Sequence, residues 1–142
     1  MNFRYSLLAV LFIGTLAFAQ TPGLSYQAVI LDDSGIQAPG YNLGQMPLAN
    51  ADVDLKFTIT NEDETLYVEE FTDVTTDENG MVSLIIGVDM GNPIVGSFSE
   101  IDWDGTPKDL QVEIDTPNDN NGYLPMGHPQ PIIYIPSQDN RI

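Results

Sequence analysis

From Val53 to Thr60 apolar and polar residues alternate without a break. Val53, Leu55, Phe57 and Ile59 lie on one parity, and Asp54, Lys56, Thr58 and Thr60 on the other. A period of two is the mark of a strand with one buried face. The same period recurs at Tyr26, Ala28 and Ile30 against Ser25, Gln27 and Val29, and at Leu110, Val112 and Ile114 against Gln111, Glu113 and Asp115. Residues 66–87, LYVEEFTDVTTDENGMVSLIIG, carry apolar runs on both sides of Asn79-Gly80, a pair that reaches positive φ at low cost. They read as a β-hairpin with a four-residue loop, 77–80, that sets Thr75 opposite Val82 and Phe71 opposite Ile86. In that register Phe71, Val82, Leu84 and Ile86 share a face, and a slip of one residue turns the apolar set toward water.

Between these runs lie turn signals. Asp32-Asp33-Ser34-Gly35 ends the first strand, which covers residues 24–31, and Asn61-Glu62-Asp63-Glu64 is a charged turn. Residues 36–51 contain Pro39-Gly40, Gly44 and Pro47 and show no sustained period, so they read as a long loop. Phe98, Ile101 and Trp103 form either a single helical turn or a loop that drops large side chains into the core. Residues 116–122 are a polar loop, and residues 123–126 a short strand. Pro129, Pro131 and Pro136 bracket residues 132–135, which limits that run to an edge strand or an extended tail. No helical period is sustained over the remainder of the chain. The pattern predicts an all-β protein, a single antiparallel β-sandwich of Ig-like or prealbumin-like kind. Its expected core is Val53, Leu55, Phe57, Ile59, Phe71, Val82, Leu84, Ile86, Leu110, Val112 and Ile114.

The N-terminus changes the picture of where this sandwich works. Arg4, an apolar run over residues 7–16, and Ala17-Phe18-Ala19 before Gln20 make a cleavable signal peptide of residues 1–19. The run is too short to span a bilayer comfortably, and no other segment is apolar enough to do so. The domain then covers residues 20–130, followed by an edge strand or tail at 131–142. All 21 acidic residues follow the leader, against Lys56, Lys108 and Arg141 as bases, and the whole chain carries a formal net charge of -17. Such a chain repels nucleic acid and anionic lipid, so both are poor partners. With no cysteine, disulfides, thiol nucleophiles and thiolate metal sites are excluded.

The order of the segments resembles the N-terminal β-sandwich domain of secreted surface proteins of bacteroidete-type bacteria. The strand form F/L-x-Y-Q-A-V matches residues 24–29, the turn D-x-x-G residues 32–35, and P-L-A-N-x-x-V residues 47–53. T-x-x-x-G-x-V-x-L-x-I-G matches residues 76–87, G-x-F-x-x-I-x-W residues 96–103, and P-K-x-L-x-V-E-x-D residues 107–115. Two departures stand out. Residues 36–46 are an insertion, and Q-P-I-I-Y-I-P-S at 130–137 replaces the family's Q-x-L-x-S-V-P-Y-A segment, after which the family continues into collagen-like, coiled or tail-fibre-like regions. The resemblance implies a non-catalytic structural or adhesive surface module, delivered to the periplasm, outer surface or exterior of a Gram-negative cell. It implies no catalytic residue.

Chemistry is sparse in the chain itself. His128 is the only histidine, set between Gly127 and Pro129, and cannot build a triad or a multi-imidazole metal site. Nucleotide-binding and serine-hydrolase motifs are absent from the sequence. Paired carboxylates such as Asp32-Asp33 and Asp102/Asp104 stand out no more than the other acids. No motif calls for a cofactor. Calcium is the one ion that the residue types admit, through oxygen ligands in residues 73–79, 102–104 and 115–121, with Asp115, Asp119 and Asn121 as candidate ligands. An EF-hand alignment fails, because it places Pro117 first and His128 twelfth; the competing reading is that Asx and Gly simply make turns. Tyr41, Trp103 and Tyr123 are candidates for a sugar-stacking face, against Trp103 as a core residue. A calcium- or carbohydrate-binding module is therefore the alternative function. Ile133 and Tyr134, in the C-terminal run, are candidates for contact with a protein partner or a second copy by strand addition.

Overall fold

The computed structural model describes residues 23–32, 46–88, 90–116 and 122–132. The leader, residues 33–45 and the run 133–142 lie outside the described residues. Ten strands follow in order: β1 (Leu24–Val29), β2 (Leu31–Asp32), β3 (Met46–Pro47), β4 (Asp52–Asn61), β5 (Glu64–Thr75), β6 (Met81–Ile86), β7 (Asn92–Val95), β8 (Lys108–Asp115), β9 (Leu124–Pro125) and β10 (Gln130–Ile132), with a 3-10 turn at Phe98–Glu100 between β7 and β8. All their pairings are antiparallel. The larger sheet has the order β10-β8-β4-β5-β7, with β9 also on β8, while β1 and β6 form a two-stranded sheet and β2 and β3 a short ribbon. The all-β sandwich predicted from the periodicity is thus the observed fold. Among the described residues no helix is long and apolar enough to cross a membrane.

The alternating strand around Phe57 is β4, at the centre of the larger sheet. Val53, Leu55, Phe57 and Ile59 point inward and are at most 1% exposed. β5 returns beside it through a tight turn in which Glu62 takes φ 53. Asp73, also at positive φ, sits where the β4–β5 register shifts between Val53 and Leu55, and its N–H donates to the Asp54 carboxylate at 2.8 Å. Tyr26 on β1 stacks edge-on over Phe57 with ring centroids 4.8 Å apart, so the small sheet lies across the large one. The 3-10 turn buries Phe98, and Ile101 follows it into the core, which resolves the choice left open for that segment.

The hairpin expected over residues 66–87 does not form. β5 pairs with β4 and β7, whereas β6 pairs with β1, so the two runs belong to opposite sheets. The turn itself is real: Asp77 N–H donates to Met81 O, Gly80 N–H to Asp77 O, and the Asp77 carboxylate accepts from the N–H groups of Asn79 and Met81. The end of β5 is held at Thr76. Its buried hydroxyl donates to Leu48 O at 2.5 Å and accepts from Ala51 N–H at 3.0 Å, which fastens the strand end to the Leu48–Ala51 turn. Phe71, Val82 and Ile86 still meet in the core, facing one another across the sandwich instead of lying side by side. Three expected core residues are only partly buried: Leu110 and Ile114 on the larger sheet, which a two-stranded sheet is too narrow to cover entirely, and Leu84 on the small sheet itself.

Candidate functional site

Two neighbourhoods gather polar side chains with defined geometry. The first is a cleft of about 440 Å³ at one end of the sandwich, between the β4–β5 turn and the segment leading into β8. Asn61, Glu64, Thr65, Glu100, Asp102, Asp104 and Lys108 line it. Lys108 shares the inward parity of Leu110 and Val112 and is itself buried. Its ammonium reaches the cleft, donating to Thr106 Oγ1 at 2.9 Å and to the Asp104 carboxylate at 3.3 Å. This is a long apolar stem with its charged head led out to a polar rim.

Asp104 accepts from the side chain and the N–H of Thr106 as well. These bonds, the Thr106 hydroxyl first, hold its carboxyl down to about 2 from the ordinary 3.8. A lowered folded-state value means that the ionised form favours the fold. Its contribution is full above about 3.8 and disappears as pH falls toward about 2. Thr106→Val should return the Asp104 titration toward the ordinary carboxylate range in a carboxyl-detected NMR titration. An unchanged value would mean that the hydroxyl does not set it.

The second neighbourhood is the outer face of the larger sheet. Lys56 stands opposite Glu113 on β8 and Glu70 on β5, and its ammonium is 3.1 Å from the Glu113 carboxylate. Tyr123 lies over it, with Nζ 4.4 Å from the ring centroid. Burial, followed by the carboxylates of Glu70, Asp54, Asp115 and Glu113, raises the Tyr123 hydroxyl to about 12. One lysine thus stands among four carboxylates. Lys56→Gln should cost about 1–2 kcal/mol, between an exposed ion pair and a buried one. Because the loss is repulsion among the remaining acids, part of it should return in 0.5 M NaCl, roughly a 4 Å screening length. Denaturant titration at two salt concentrations checks both. A loss that does not depend on salt would assign the effect to packing of the lysine stem.

A third polar group is buried entirely. Glu69 lies between Tyr67 and Phe71 on the inward parity of β5 and is 0% exposed. Its carboxylate accepts from Gly87 N–H at 2.8 Å, Gly91 N–H at 3.0 Å and the Tyr67 hydroxyl at 3.0 Å. It ties the β6–β7 connection onto β5. Glu69 and Lys108 do not stand out in the sequence as buried, because acids and lysines usually face water. The available signal was parity, since each falls in step with the apolar residues of its own strand.

The residues singled out from the sequence are dispersed. Tyr41, Asp119, Asn121, Ile133 and Tyr134 lie outside the described residues. Asp115 ends β8, opposite Asp54. Trp103 is half-buried, with its ring 5.4 Å from that of the core residue Phe98, while Tyr123 lies on the outer face over Lys56. The two rings therefore do not form one stacking surface. Asp77 and Asp104, from two of the acidic stretches considered for calcium, accept hydrogen bonds within their own turns. Among the described residues no three carboxylates or histidines gather closely enough to hold a metal ion. His128 is exposed in a bend, and its carbonyl accepts from the Gln130 side chain. β10 docks on β8, with Ile132 opposite Lys108, and the rest of the run expected as an edge strand or tail, 133–142, lies outside the described residues. No family model, no curated protein and no solved structure matches this chain.

Proposed function

We propose that this chain is a secreted, non-catalytic module of structural or adhesive kind, placed in the periplasm, on the outer surface or outside a Gram-negative cell. The observation that carries the reading is the use made of its buried polar groups. Glu69 fastens the β6–β7 connection, Thr76 fastens the Leu48–Ala51 turn to the exit of β5, and Lys108 closes on Asp104 and Thr106. Each is engaged by the chain's own turns, as befits a scaffold. The N-terminal leader supports export. The resemblance of the segment order to bacteroidete-type surface domains points to a surface role.

The test is cell fractionation joined to thermal melting. In a Gram-negative host the chain should leave the cytoplasm with residues 1–19 removed. Its melting temperature should be the same in calcium chloride, in sodium chloride of equal ionic strength, and with added oligosaccharides, since a native-state ligand must raise stability by mass action. Retention in the cytoplasm with an intact leader would overturn the export reading. A calcium- or sugar-specific rise would replace the scaffold reading with the ligand-binding alternative.

A further inference from the structure

The end of the larger sheet that gathers acids is also the end where the chain leaves it. β4 ends at Asn61, β5 begins at Glu64 and β8 begins at Lys108, and the cleft of about 440 Å³ opens there. Glu64, Glu100, Asp102 and Asp104 line it, against Lys108 as its one base. Lys108 is engaged with Asp104, and Lys56 with Glu113 on the outer face of the sheet. Among the described residues no ion pair or hydrogen bond reaches the carboxylates of Glu64, Glu100 and Asp102. β10 runs antiparallel to β8, from Gln130 opposite Leu110 to Ile132 opposite Lys108, so its direction carries the chain toward this same end. The chain beyond Ile132 therefore starts at the rim of the cleft.

We infer that residues 133–142 of the same chain fold back across this cleft and set Arg141 among its carboxylates. Starting point, reach and charge select this segment. Arg141 stands nine residues beyond Ile132. That length extends to about 30 Å, enough to turn and return. Pro136, Ser137, Asp139 and Asn140 supply turn-forming residues on the way. Of the three bases after residue 19, two are engaged on the sheet, and Arg141 is the third. Its guanidinium presents a planar fork of N–H donors that matches carboxylates. Because it is tethered at the rim, it is present at an effective concentration of the order of millimolar, ahead of a scarcer free cation. Asp139 is the one acid of the run, so the attraction depends on where Arg141 is placed and not on net charge. The inference goes beyond the structural reading above and does not rest on it, since its failure would leave export and ligand insensitivity as they stand.

The experiment is paramagnetic NMR on the full leaderless chain. The sequence has no cysteine, so Asn140→Cys gives a single site for a nitroxide label. The label should broaden the amides of Glu64, Thr65, Glu100 and Asp102 more than those of the 77–80 turn at the other end of β5. Adding Arg141→Gln should cut that broadening at least about twofold, the weight of an exposed ion pair, and so should about 0.5 M NaCl. The pair Glu100→Gln and Asp102→Asn should do the same, whereas Glu78→Gln, in the 77–80 turn, should leave it unchanged. The β4 and β5 amide shifts in the same spectra show whether each variant keeps the fold. Broadening that ignores Arg141→Gln and the cleft variants overturns the inference, because the run then lies elsewhere or merely sweeps the space its tether allows. Equal broadening in a mixture of labelled unenriched chain and unlabelled 15N chain also overturns it, by assigning the contact to a second copy.

Discussion

Glu69→Leu should lower stability by about 2–5 kcal/mol, a large share of the roughly 5–15 kcal/mol that holds a typical domain folded. The leucine fills most of the volume, but it leaves the part-buried N–H groups of Gly87 and Gly91 without their acceptor, and each orphaned donor costs roughly 1–3 kcal/mol. Gly91 cannot move away cheaply, since a Cβ at that position would already stand 2.6 Å from Glu70 O. Gly87 is fixed by φ +90 and by the Phe98 ring beneath it, where a Cβ would overlap the ring. Glu69→Gln is the sharper variant. One oxygen can still accept, but the amide NH2 then faces a donor, so it too should destabilise, by less than leucine. Denaturant titration of both variants beside the parent chain decides. A loss under about 1 kcal/mol in each would mean that the connection finds other partners and that the carboxylate is not its anchor.

Why the sequence revealed some elements and hid others follows from what a period of two encodes. At β4 the alternation names both the element and its buried face, because every inward residue from Val53 to Ile59 is apolar. The arch between β5 and β6 carries the sequence signals of a hairpin: two alternating strands, and Asn79-Gly80 between them. Hairpin and arch differ in where the second strand finds its partners: β6 finds β1, more than fifty residues earlier in the chain, while the end of β5 is bonded through Thr76 to Leu48 and Ala51. Neither fact is local. The candidate site suffered from the same limit. Tyr123 and Trp103 share an aromatic character but not a surface, and only the sheet register separates them.

The half-buried Leu84 belongs to the same account. Its parity is that of Val82 and Ile86, which are 2% and 0% exposed, yet it lies beside Tyr26 in a sheet with no third strand among the described residues. A two-stranded sheet in water is marginal on its own and depends on what it packs against. The small sheet therefore holds its place through the few large side chains beneath it, above all Phe57. That dependence fixes where the fold should open first.

Phe57→Ala should cost about 3–5 kcal/mol, and the loss should be uneven across the molecule. Phe57 is 0% exposed at the centre of β4. Its ring stands edge-on to Tyr26 of the small sheet at 4.8 Å and to Phe71 of the large one at 5.6 Å. Truncation removes the transfer energy of the ring, leaves a cavity that the β4 backbone cannot close, and breaks both aromatic contacts. The larger sheet retains its ladders from β10 to β7, so its central strands keep their partners. β1 and β6 retain only each other. Native-state hydrogen exchange should therefore show β1 and β6 amides losing protection in the variant well before those of β4 and β5, as a local opening below the global transition. If protection falls equally in both sheets, the sandwich opens as one unit, and Phe57 is an ordinary core residue instead of the post on which the small sheet rests.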